Sequence, residues 1–82
     1  MKKNEEAISE YKEKLIEFKS FAQKNGISID FAKTIIILCS SPEANQKYGS
    51  SVKAIDMAKE LYLKCKEEQI FIDKLCENLG VL

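Results

Sequence analysis

From Ser50 to Leu79 the chain has no proline or glycine, and Ile55, Ala58, Tyr62, Cys65, Gln69, Ile72, Cys76 and Leu79 alternate steps of three and four residues. That spacing is the apolar seam of a packed or coiled helix, and it predicts one long C-terminal helix of about 45 Å at the standard rise. Ser50 or Ser51 stands where its cap belongs, and Gly80 where it should stop, with Val81 free to fold back on Cys76 or Leu75. Leu63 and Ile70 lie one heptad apart away from the seam, and Phe71 lies off it on another side. A helix with several apolar faces must be covered on several sides.

The first helix is expected over Asn4 to Lys24, where Ile8, Tyr11, Leu15, Phe18 and Ala22 form one stripe. Acids gather at its start and lysines toward its end, as the helix dipole favours. Gly26 is placed to end it in a left-handed stop, with Ile27 folding back onto Phe21 or Ala22.

Ser28 to Cys39 has two readings. With Ser28 or Asp30 as cap, Phe31, Ala32, Ile35, Ile36 and Leu38 coat nearly the whole circumference of a helix, which would then be central. The β-branched run Thr34 to Cys39 would also suit a buried strand, but no second strand candidate exists to pair with it, so a helix is expected. Ser41-Pro42-Glu43 starts a short helix, with Ser41 as cap and Pro42 in the first turn, and Gly49 ends it.

The pattern therefore predicts an all-α fold in a single domain spanning 1–82. Its form is a small up-down bundle of three main helices plus a short connecting helix, ending in the long C-terminal helix. Helices of about 30 and 18 Å cannot shield one of about 45 Å along its whole length. Its far half would present an apolar surface larger than soluble monomers usually tolerate. Leu63, Ile70, Phe71, Leu75 and Leu79 are thus the expected surface for another protein, or for a second copy of the chain.

Composition narrows the chemistry. The 82 residues are 45% hydrophobic and 32% charged, with thirteen lysines balancing thirteen acids and no arginine, histidine or tryptophan. This is the composition of a folded chain and not of a disordered one. The absence of histidine removes the usual general base near neutral pH and the commonest zinc ligand. No phosphate-binding glycine loop, nucleophile elbow or metal-ligand spacing occurs. Cys39, Cys65 and Cys76 show no C-x-x-C spacing, and the last two, eleven residues apart on one helix, cannot bond to each other within it. They read as core-filling thiols, and Lys33 as a rim lysine. No catalytic, cofactor or metal role is expected.

The longest apolar run, Ile35 to Cys39, is too short to span a bilayer, and the start of the chain lacks a secretory pattern, so a cytoplasmic protein without membrane association is expected. The function expected is a non-enzymatic protein-interaction module: an inhibitor, adaptor or regulator that binds another protein through a helical surface, as a homodimer. The alternative is a small dimeric DNA-binding regulator with a helix-turn-helix-like segment around 28–49, where Asn45 and Gln46 suit adenine and Lys47 and Lys53 suit phosphate. Zero net charge and lysines that alternate with glutamates weigh against it.

Overall fold

Every helix starts or stops where a short side chain or a glycine satisfies the backbone groups left over at its end. A computed structural model describes the backbone of residues 2–81 and the side chains of residues 9–81. It contains α1 (Lys2–Lys24), α2 (Ile29–Cys39), α3 (Pro42–Tyr48), α4 (Ser51–Lys64) and α5 (Glu68–Leu79). Helix makes up 82% of the chain, and no strand occurs among the described residues. Thr34 to Cys39 is helical, as expected.

Ser28, Ser41 and Ser50 are the caps of α2, α3 and α4, each accepting from the backbone N–H three residues on. Pro42 opens α3, where its missing N–H costs nothing. Gly26 ends α1 at φ 71°, and the Ile27 and Gly26 N–H groups donate back to the Ala22 and Gln23 carbonyls at 2.9 and 3.4 Å. This is the predicted stop, with Ile27 buried behind it. Gly80 at φ 73° repeats it, Val81 donating to the Cys76 carbonyl at 3.1 Å.

The core gathers Phe18, Ala22, Ile35, Cys39, Ala44, Ala54, Ile55, Ala58, Tyr62, Phe71, Leu75 and Leu79. α4 is the central element, packing on all four other helices. α2 also packs on all four others, less extensively, and its coat is not covered all round as expected: Ala32, Ile35 and Cys39 are buried, but Ile29 and Ile37 are 64% and 71% exposed. Ile8 of the predicted α1 stripe lies outside the described side chains.

The long C-terminal helix is the larger correction. It is broken at Cys65–Glu67, where Cys65 (φ −141°, ψ 95°) and Glu67 (φ −83°, ψ 115°) are extended. The cause is the phase of two stripes. Tyr62 and Phe71 are nine residues apart, which on a continuous helix at about 100° per residue puts them on opposite sides. With the break, α5 turns back so that Phe71 meets the Tyr62 ring edge-on at 5.4 Å and the Phe31 ring at 5.9 Å. Phe71, Leu75 and Leu79 become fully buried. Burying three large apolar side chains contributes about 2 kcal/mol each. Interrupting the helix forgoes about four intrahelical bonds worth about 1 kcal/mol apiece at most, and Lys66 to Ile70 are exposed, so water replaces them. Burial wins.

Candidate interaction surface

Folding back redistributes the five residues expected at the partner surface. Phe71, Leu75 and Leu79 are 0%, 0% and 1% exposed and belong to the core of the single folded chain. Leu63 and Ile70 remain on the outside, 55% and 41% exposed, on either side of the α4–α5 break. The five do not form one patch. The seam also divides: Ile55, Ala58 and Tyr62 are buried, Cys65, Ile72 and Cys76 are half-buried, and Gln69 is exposed, donating to Asp73 at 3.2 Å.

A better-formed apolar surface lies between α1 and α2. The two helices diverge over an open groove of about 330 Å³, within the roughly 300–1,000 Å³ typical of ligand sites. Leu15, Phe18, Ala22, Ile27, Ala32 and Ile36 line it, so its walls are partly the protein core itself. Ile29 sits at its edge, and the only charges among the lining residues are Lys19 and Lys33. Ile37 is one helical turn beyond Lys33 and exposed on the same helix. α2 has apolar residues on more sides than its four neighbouring helices cover.

A second open cleft, about 520 Å³, is bounded by Glu10, Tyr11, Lys12 and Leu15 of α1 and by Asn45, Ser50, Ser51 and Val52. Its polar floor is already committed. Tyr11 and Ser40 share a 2.8 Å hydroxyl bond. The Asn45 side-chain amide donates to the Ser41 carbonyl at 3.0 Å and to Ser51 Oγ at 3.1 Å, while Ser51 donates to Asn45 Oδ1 at 3.3 Å.

That network bears on the nucleic-acid residues. Asn45, the one best suited to read adenine, is half-buried with its amide occupied in holding the α2–α3 turn and the start of α4. Gln46, Lys47 and Lys53 are exposed, but α3, which carries the first two, is only seven residues long.

Among the described residues, ionisable groups meet between α1 and α4. Lys14 donates to Asp56 at 2.6 Å and to Glu17 at 3.2 Å, and Lys59 pairs with Glu17 and lies 5.9 Å from the Phe21 ring centre. The Asp56 hydrogen bond holds Lys14 above its ordinary range, while Lys59 and then Lys14 hold the Glu17 carboxyl below its own. Two cations and two anions neutralise one another, and the cluster works as a clamp between the helices. Cys39 is fully buried, and burial pushes its thiol up to about 12, the opposite of what a nucleophile needs. Cys65 and Cys76 are half-buried and free, not the core fillers expected. Among the described residues no three His, Cys, Asp or Glu side chains converge as a metal site would require, and no helix is long and apolar enough to cross a membrane.

No family model, no curated protein and no solved structure matches this chain.

Proposed function

We propose that this protein is a non-catalytic interaction module, and that the α1–α2 groove receives an amphipathic helix of another protein. The observation that carries the reading is the groove's composition: an apolar floor continuous with the core, an exposed Ile29 at the edge, and a rim whose two charges are both lysines. Helix-in-groove recognition places apolar side chains at i, i+3/i+4 and i+7 into such a surface. Lys19 and Lys33 add selectivity for acidic residues flanking those anchors. Pairing two copies symmetrically through the same groove would bring the lysine rims together, so the favoured occupant is acidic and differs from the groove itself.

The test uses two synthetic helices of identical length and leucine spacing, one flanked by glutamate and one by lysine. The acidic peptide should shift amide resonances of Ala22, Ile27, Ala32 and Ile36 and bind about tenfold more tightly than the basic one, two partly exposed charge pairs being worth about 0.5–1 kcal/mol each. Ile29→Glu together with Lys33→Glu should abolish that preference while leaving the thermal melt unchanged. Equal affinity for the two peptides would refute the acidic partner. Shifts in neither case would refute the groove as the receiving surface.

A further inference from the structure

Residues 65–79 carry two apolar faces, and the folded chain makes full use of one. Phe71, Leu75 and Leu79 are buried, whereas Cys65, Ile72 and Cys76, which continue the α4 stripe of Ile55, Ala58 and Tyr62 in sequence, are half-buried and thrown out of line by the break. The break contains none of the residues that force one. Lys64 to Gln69 has no glycine or proline, and lysine, glutamate and glutamine are good helix formers. It is held by tertiary contacts alone. Among the described residues those contacts are made to α2, α3 and α4. They include Phe71 on Tyr62 and Phe31, and the Tyr48 hydroxyl donating to the Asn78 carbonyl at 3.4 Å.

An element on a short linker, seated in a cradle that an identical chain also possesses, is the arrangement that permits exchange between copies. We propose that the chain forms a swapped dimer in which residues 51–79 run as one continuous helix and each α5 seats on the α2–α3–α4 cradle of a second copy. Every buried contact of α5 is then remade between copies, and the residues of the break recover helical hydrogen bonds. Straightening also brings Cys65, Gln69, Ile72 and Cys76 into line with Ile55, Ala58 and Tyr62 on one helix face. The α1–α2 groove takes no part in the exchange, so the inference stands whether or not that groove binds a helix.

The experiment is refolding of the full chain from denaturant over micromolar to millimolar concentrations, followed by light scattering on the separated species. Wild-type protein should yield a dimer fraction that rises with refolding concentration. Glu68→Pro discriminates the two forms. Position 68 is the first residue of α5, where proline is tolerated, and Glu67 already has the extended ψ of 115° that proline demands of its predecessor. In a continuous helix the same proline removes a hydrogen bond and clashes with the preceding turn. The variant should remain monomeric at every concentration and melt as wild type does when dilute. Lys66→Gly with Glu67→Gly, harmless in an exposed linker, should weaken dimer formation about a hundredfold, four glycines per dimer each disfavouring helix about threefold. Wild-type protein that stays monomeric throughout overturns the proposal. So does a dimer that survives Glu68→Pro. Should that variant fail to fold, undiminished dimerisation of the double-glycine variant overturns it instead.

Discussion

Ile70 and Phe71 are neighbours in sequence with opposite fates, and truncating each in turn tests whether α5 folds back. Phe71 is fully buried, its ring edge-on to Tyr62 at 5.4 Å and tilted against Phe31 at 5.9 Å. Phe71→Ala removes the transfer free energy of the ring and leaves a cavity, together about 3–5 kcal/mol in well-packed cores. Two aromatic partners lose a contact as well, at about 0.5–1.5 kcal/mol each, which places the loss toward the upper end of that range. A chain of this length has about 4–12 kcal/mol in total, at roughly 0.05–0.15 kcal/mol per residue. A loss of about 4 kcal/mol lowers the melting temperature by roughly 15–30 °C, at about 4–8 °C per kcal/mol for a domain this size. Ile70→Ala, at a side chain 41% exposed, should cost less than about 1 kcal/mol. Helical circular dichroism followed through heat and urea melts of dilute protein measures both. A loss under about 1 kcal/mol for Phe71→Ala, or equal losses for the two variants, would mean that α5 does not pack as described.

Two further outcomes follow from local geometry. Gly26→Ala should destabilise by about 1 kcal/mol in urea melts: a Cβ there meets nothing within 4 Å, so the cost comes from φ 71° alone, and a neutral result would place the end of α1 elsewhere. Cys39 has a thiol that ordinarily titrates at 9.0 and is pushed up to about 12 by burial. The folded state favours the protonated thiol, so its contribution is intact below pH 9 and declines as the pH rises toward 12, by about 4 kcal/mol at 1.36 kcal/mol per unit. Lys14, held up by its hydrogen bond to Asp56, also loses its contribution only at high pH, above the ordinary lysine range. Comparison with Cys39→Ala isolates the thiol: the variant's alkaline decline should be shallower, and identical slopes would refute a buried Cys39.

Much of the fold was written in short-range chemistry. Ser28, Ser41 and Ser50 with Gly26, Gly49 and Gly80 mark helix ends through side-chain acceptors and positive φ, and both signals are local to a few residues. The break at Cys65–Glu67 was not legible because nothing local causes it. It arises from the nine-residue offset between Tyr62 and Phe71, which matters only once α2 and α4 are in place to receive a ring. The same event moved Phe71, Leu75 and Leu79 from an expected partner surface to the core and left Leu63 and Ile70 behind. The groove at Ile29, Lys33 and Ile36 was hidden for a related reason. Surplus apolar residues on α2 predict a helix with many neighbours, which it has, but not which of its sides stays open.

α4 packs more extensively than any other helix, and its place in the chain sets an order of events during synthesis. Before residues 51–64 leave the ribosome, α1, α2 and α3 lack the helix on which all of them pack. α5 is synthesised after every helix that receives it, residues 65–79 taking about 1–3 s at roughly 5–20 residues per second. On an mRNA carrying several ribosomes, neighbouring nascent chains are held close together throughout that interval. For the exchanged dimer proposed above, polysome spacing and the rate of translation through residues 65–79 are therefore variables beside the concentration after release.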